Sequence, residues 1–131
     1  MMRRVTPGPN SPVRVVVADR QPLFRRGVAD VIADEPDLVV VGETDDAGAL
    51  VEVVTRGRAD VVLLDLGVRG GGVEACAALR DTQPDVRVVV LTHADDDADL
   101  AGAVRAGARG YLLKDTTPNE LVHAVRAVAA G

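Results

Sequence analysis

The chain has 131 residues and a net charge of −5, and 47% of its residues are hydrophobic while only 2% are aromatic. That length supports one domain, whose core must be built mainly from Val, Leu and Ala. The acidic balance argues against nucleic-acid or membrane-surface binding by this segment itself, and no run approaches the ~20 apolar residues of a membrane span. Cys76 is the only cysteine, which excludes an internal disulfide and favours a cytoplasmic protein.

The N-terminal residues 1–12 contain three prolines and no apolar run, and we expect a disordered tail there. A first strand follows over residues 13–18 and ends at Asp19. Pro22 suits the first turn of a helix. The inward stripe of that helix recurs at helical spacing through Phe24, Val28, Val31 and Ile32.

The second strand-helix unit is predicted from a short apolar run over residues 38–41. Gly42 closes this strand, and Thr44 or Asp45 caps the next helix. That helix ends at Gly57. Its shared apolar face consists of Ala47, Leu50, Val51 and Val54.

The third strand, predicted over residues 60–66, is an uninterrupted apolar run of the kind found in strands buried on both faces. Asp65 lies where this run meets a glycine-rich loop. Burying an unpaired carboxylate costs several kcal/mol. We therefore expect Asp65 at the open end of the strand, in a polar site.

The remaining elements continue the alternation. The third helix ends at Pro84, and its inner face is formed by Val73, Cys76 and Ala77. A fourth strand over residues 86–91 finishes in Thr92, and a short fifth strand over residues 110–113 finishes in Lys114.

The fourth helix follows an acidic run, in which carboxylates favour the N-terminal end of the helix dipole: Asp95, Asp96, Asp97 and Asp99. Its inward residues are predicted to be Leu100, Ala103 and Val104, with its end at Gly107. The last helix begins with Thr116 or Thr117 as its cap. The inward stripe of that helix consists of Leu121, Val125 and Val128.

Five strands alternating with five helices predict an α/β fold, a doubly wound parallel sheet with helices on both faces. In such sheets the functional crevice lies outside the carboxyl ends of the strands. Polar residues follow these ends at Asp19, Arg20, Asp65, Thr92 and Lys114.

Lys114 is the only lysine among 15 basic residues, and its ammonium group suits end-on contact with a carboxylate or phosphoryl oxygen. A carboxylate, a hydroxyl and an ammonium group together can accept a phosphoryl group.

The chain resembles the receiver domains of response regulators, nearest to the NarL/FixJ type with LuxR-like output. The resembling segments are VVVADRQPLF (15–24), residues 40–43, DVVLLDL (60–66), VVVLT (88–92) and AGARGYLLKD (106–115). The resemblance covers about residues 13–130. It implies a flavodoxin-like five-stranded sheet in the order 2-1-3-4-5, and a receiver domain over residues 13–131.

The resemblance also implies roles for individual residues. Asp65 would be the phosphorylated residue, with Thr92 and Lys114 contacting the phosphoryl group and Tyr111 changing rotamer on activation. Mg²⁺ would be the cofactor, bound by the acids after the first strand, by Asp65 and by the carbonyl of Gly67.

Two departures from the family pattern concern the charge of this site. Arg20 stands where the family has its second acid, beside Asp19, and it should weaken Mg²⁺ binding because it reverses a charge in the metal site. Arg69 in the shortened glycine loop adds a second positive charge near Asp65. Either arginine is predicted to pair with Asp65 and mimic the cation.

Three functions follow as alternatives. The first is a two-component receiver phosphorylated by a sensor histidine kinase, and the second is an atypical receiver controlled by a ligand or protein partner. The third, of another class, is a flavodoxin-like binder of a flavin phosphate. An enzyme with external turnover is not expected.

The partners implied are the kinase and a second copy of the chain, through the first and last helices or the Tyr111 face. DNA would be bound only through a C-terminal output domain that this chain lacks, so the chain is expected to be an excised or stand-alone receiver.

Overall fold

The computed structural model describes residues 11–93 and 97–131. The predicted tail lies outside the described residues, apart from Ser11 and Pro12. So do Asp95 and Asp96 of the acidic run.

The described residues form a five-stranded parallel sheet in the order β2-β1-β3-β4-β5, which confirms the predicted topology. The strands are β1 (Val13–Ala18), β2 (Leu38–Thr44), β3 (Val61–Asp65), β4 (Arg87–Thr92) and β5 (Gly110–Leu113). The helices are α1 (Pro22–Ala33), α2 (Ala47–Gly57), α3 (Gly72–Thr82), α4 (Asp97–Arg105) and α5 (Pro118–Ala130).

The sheet separates two hydrophobic cores because successive strand residues point to opposite faces. On one face, alternate residues of β1, β3 and β4 pack against α2, α3 and α4. On the other face, the intervening residues pack against α1 and α5. Every residue of β3 is buried, as the uninterrupted apolar run predicted, and this places the end of β3 at the centre of the sheet.

The second unit differs from its prediction. β2 continues through Gly42 to Thr44, and its pairing with β1 shifts register there. A Cβ at Gly42 would lie only 2.6 Å from the Val53 side chain. Gly42 therefore allows close packing of α2 and does not end the strand. The cap of α2 is Asp46, whose carboxylate accepts a hydrogen bond from the Gly48 amide, and not Thr44 or Asp45.

The end of α2 at Gly57 agrees with its prediction, but the end of α4 does not. The left-handed residue that follows α2 is Arg58, with a φ of 50°. Gly57 is required instead by close approach, because a Cβ there would lie 2.7 Å from Val41. α4 ends at Arg105, before Gly107, and Val104 is 58% exposed and does not face the core.

The last helix begins as predicted. The Thr117 side chain accepts a hydrogen bond from the Glu120 amide, and Pro118 occupies the first turn. None of the helices in the described part of the chain has the length and apolar character needed to cross a membrane.

Candidate functional site

The carboxyl ends of β1 and β3 bring two carboxylates together. Ala18 pairs with Leu64 in neighbouring parallel strands, so the residues that follow, Asp19 and Asp65, lie side by side. Asp19 is fully buried and Asp65 is 3% exposed. Two buried carboxylates at one rim of the sheet require cations or hydrogen-bond donors close by.

Lys114 supplies the first cation from the end of β5. Its Nζ lies 2.9 Å from Asp19 Oδ2 and 3.5 Å from Asp65 Oδ2, and the lysine side chain is only 4% exposed. The predicted meeting of the lone lysine with the central carboxylate is therefore present in the structure. A buried ammonium placed between two carboxylates stabilises both negative charges at once.

Burial dominates the electrostatics of Asp19. It raises the pKa of the carboxyl group above 3.8, and the hydrogen bond from the Gln21 amide and the contact with Lys114 lower it by less. Among the described residues, Oδ2 has no aligned hydrogen-bond donor despite its short distance to Lys114. We regard the 2.9 Å contact as an ion pair, because charge attraction does not depend on that alignment.

Asp65 is held from the other side by its own loop and by Arg20. The Gly67 amide donates to Oδ1 at 3.0 Å, and the Arg20 amide approaches Oδ2 at 3.4 Å. The Arg20 side chain lies over the same oxygen, with Nε at 3.8 Å. The carboxylate is thus fixed between a loop amide and two cationic side chains.

Thr92 and Tyr111, the two predicted switch residues, lie on β4 and β5. Thr92 is buried at the end of β4, next to Leu91, which pairs with Asp65. Its hydroxyl donates to the His93 carbonyl at 3.2 Å. Tyr111 lies on the edge strand β5 and is 56% exposed. The proposed switch roles of Thr92 and Tyr111 stay predictions.

Only one of the two arginines predicted to meet Asp65 makes an ion pair with it in the described part of the chain. Arg69 is exposed in the β3–α3 loop. Its backbone pairs with the segment before α2, where its amide donates to Asp45 and its carbonyl accepts from Ala47. This pairing directs the loop toward α2, and the pocket-modifying role predicted for Arg20 and Arg69 stays a prediction.

Two residues complete the surroundings of Lys114 and were not identified from the sequence. The ammonium group donates to Gln21 Oε1 at 2.7 Å, and it lies 4.5 Å from the centre of the Phe24 ring. A cation over an aromatic face gains roughly 0.5–2 kcal/mol. The sequence pattern places Phe24 on the inward stripe of α1, and no local pattern connects either residue to Lys114.

The residues at this rim do not fit the implied magnesium site. Mg²⁺ needs oxygen ligands and carboxylate charge. Asp19 Oδ2 is already in contact with Lys114, and Asp65 Oδ2 is already in contact with both Lys114 and Arg20. In the described residues, no three acidic, histidine or cysteine side chains form a group that could hold a metal ion. What the site does offer is a fixed carboxylate beside two cations, a combination suited to phosphoryl acceptance.

Comparison with known proteins gives a consistent assignment. The family model described as the response regulator receiver domain matches residues 15–126. The transcriptional regulatory protein YxjL of Bacillus subtilis is 40% identical over 120 residues, which cover 91% of this chain and 55% of the relative. The nitrate/nitrite response regulator NarP of Escherichia coli is 38% identical over 122 residues, covering 92% and 57%. The chain therefore spans little more than half the length of these relatives.

Solved structures agree. The signal receiver domain of the response regulator NarL from Mycobacterium tuberculosis superposes with a TM-score of 0.87 at 40% identity, and the match covers 92% of this chain and 98% of that one. A LuxR-family response regulator from Aurantimonas gives a TM-score of 0.84 at 34% identity, covering 92% and 87%. These matches are all regulators and lend no support to a flavin-phosphate binder.

Proposed function

The chain belongs to the response regulator receiver domain family, and on this basis we propose that it accepts a phosphoryl group on Asp65 from a sensor histidine kinase. The chain is a receiver of the NarL type. Control of transcription would follow through an output domain attached to it, as the regulatory relatives' names suggest.

The proposed transfer moves one phosphoryl group between two proteins. An Asp65 carboxylate oxygen attacks the phosphorus of a phosphohistidine, and an O–P bond forms as the P–N bond breaks. The electron pair of that bond returns to the imidazole nitrogen, which takes a proton from solvent. Lys114 and Arg20 are close enough to Asp65 Oδ2 to stabilise the charge that gathers on the phosphoryl oxygens.

One observation carries the proposal: a buried carboxylate at the central strand end shares its oxygen with the lone lysine of the chain. Lys114 Nζ is 3.5 Å from Asp65 Oδ2, and both side chains are about 5% exposed or less. Holding these charges out of water is costly even when they are paired. Buried charged groups of this kind cluster at functional sites.

The proposal is tested by incubating the chain with acetyl phosphate and measuring the intact mass. We expect an adduct of about 80 Da, the mass of one phosphoryl group, that is absent in Asp65→Asn. The matched control is Asp85→Asn at an exposed aspartate, which should keep the adduct. An adduct that persists in Asp65→Asn would exclude Asp65 as the acceptor.

Several finer features belong to the same proposal. We place the receiver domain at residues 13–131 and the protein in the cytoplasm, where sensor kinases present their phosphohistidine. DNA contact would come through the output domain, because this chain carries a net charge of −5 and would be repelled by phosphates. We expect no turnover of an external substrate, since the family transmits signals through a modified residue.

A further inference from the structure

Receiver domains typically use Mg²⁺ for phosphorylation, and the misfit of the magnesium site in this chain has a specific cause. We propose that the guanidinium group of Arg20 occupies the place of the divalent cation, so that this receiver operates with a resident side-chain cation. The weak binding of Mg²⁺ is independent of phosphorylation, and only the consequence for phosphoryl transfer rests on the function proposed above.

The position of the guanidinium is defined by two independent contacts. Nε lies 3.8 Å from Asp65 Oδ2. On its other side the group lies against the backbone of Gly67, where an added Cβ would be only 2.9 Å from both Cζ and Nε. The guanidinium therefore lies between Asp65 and Gly67, two of the three residues expected to be ligands of the metal.

The charges of the site are already balanced without a metal ion. The carboxylates of Asp19 and Asp65 are matched by the ammonium of Lys114 and the guanidinium of Arg20. A divalent cation would add two positive charges to this neutral group and would lie next to Arg20. Since carboxylate charge provides much of the affinity for Mg²⁺, this arrangement should bind the ion weakly.

Arg20 can also contact a phosphoryl group directly. Its side chain is 52% exposed, so the outer N–H groups remain available on the solvent side of Asp65. A planar guanidinium donates two parallel hydrogen bonds to phosphoryl oxygens. Arg20 and Lys114 would then hold a phosphoryl group on Asp65 from two directions, without a metal bridge.

The metal-binding arm of the test compares Arg20→Gln with the original chain by calorimetric titration with MgCl₂. Arg20→Gln removes the positive charge without adding a carboxylate, and we expect it to bind Mg²⁺ about tenfold more tightly or better, a difference of about 1.4 kcal/mol. Arg20→Asp should bind more tightly still, because it also supplies a carboxylate. The matched control is Arg69→Gln, which removes an exposed charge from the same rim and should leave the affinity unchanged.

Two results would overturn the proposal. One is equal Mg²⁺ affinity in the original chain and Arg20→Gln, which would show that the guanidinium does not compete with the metal. The other is an equal gain in Arg69→Gln, which would reduce the effect to general electrostatics. Circular dichroism of each variant establishes that the fold is retained. If Arg20→Asp does not fold, Arg20→Gln alone decides the matter.

The phosphorylation arm uses acetyl phosphate with either Mg²⁺ or EDTA. An Asp65 oxygen attacks phosphorus and acetate leaves with the electron pair of the broken P–O bond. We expect the original chain to form the adduct at the same rate in both conditions, and Arg20→Asp to require Mg²⁺. An adduct that forms only with Mg²⁺ in the original chain contradicts the proposal. Absence of any adduct would refute phosphorylation of Asp65, while the titration would still decide the role of Arg20.

Discussion

Asp19 is a carboxylate whose ionised form is disfavoured by its burial in the pocket. It is fully buried and adjacent to a second carboxylate, and its Oδ2 depends on Lys114 alone. Burial and the charge of Asp65 raise its pKa, while Gln21 and Lys114 lower it by less. The ionised form is therefore less favourable in the folded chain than in the unfolded one.

Asp19→Asn should consequently raise the melting temperature at neutral pH. Because the pKa of Asp19 in the folded chain is raised above 3.8, the folded chain binds the Asp19 proton more strongly than the unfolded chain does. The stability that this proton contributes is present at low pH and is lost as the pH rises through the raised pKa. The gain from asparagine should thus shrink as the pH is lowered and Asp19 becomes protonated. Thermal melts at neutral and acidic pH measure this, with Asp85→Asn as an exposed control. A gain that is the same at both pH values would contradict the assignment.

At the scale of elements, the turn between β3 and α3 depends on close backbone packing. α3 begins at Gly72 without a side-chain cap. The Gly72 amide donates to the Leu66 carbonyl at 3.2 Å, and a Cβ on Gly72 would lie 2.5 Å from the Leu66 Cα. The backbone of the turn cannot move away without shifting Gly67 and the Asp65 carboxylate that it holds.

Gly72→Ala should therefore destabilise the fold by about 1–3 kcal/mol, the usual range for overpacking. Gly27→Ala is the matched control, because a Cβ there meets nothing within 4 Å in the middle of α1. It should stabilise the chain by about 0.5–1 kcal/mol through helix propensity. Urea unfolding of the two variants measures both effects. Equal changes in the free energy of unfolding of the two variants would show that the contact with Leu66 does not make Gly72→Ala destabilising.

At the scale of the whole molecule, the surface formed by α1 and α5 contains the most exposed large apolar side chain among the described residues. Leu23 is 90% exposed, and it borders a groove of about 340 Å³ between α1 and α5 that is lined mainly by apolar side chains. Exposed apolar residues beside such a groove are typical of association surfaces. We propose that a second copy of the chain covers this face in a symmetric dimer.

Leu23→Asp should weaken that dimer more than about tenfold, because each protomer would lose a buried leucine worth about 1.5–3 kcal/mol. Sedimentation velocity over a range of concentrations measures the dissociation constant. The control is Val104→Asp on α4, where the original side chain is 58% exposed, and it should leave association unchanged. Loss of the dimer in Val104→Asp alone would place the interface on the α4 side.

Local patterns in the sequence determined the alternation of strands and helices, the central position of β3 and the rim at which Asp19, Asp65, Thr92 and Lys114 lie. This was possible because hydrophobic periodicity reports which residues face a core, and parallel strands end at a common edge. The predicted end of β2 was wrong because Gly42 is required by close packing against Val53 of α2, a contact that periodicity does not describe. The predicted end of α4 was wrong because the helix stops at Arg105, before Gly107.

Only the tertiary structure decided how the charges of the site are paired. β1 and β5 are not neighbours in the sheet, yet Gln21 receives a hydrogen bond from Lys114 across 93 residues of sequence. The sequence predicted that either Arg20 or Arg69 pairs with Asp65. The backbone of the β3–α3 loop pairs with the segment before α2, and Arg20 is the arginine that pairs with Asp65 in the described residues. Pairing depends on distances of a few ångströms between side chains from different elements, and such distances are set by packing in three dimensions.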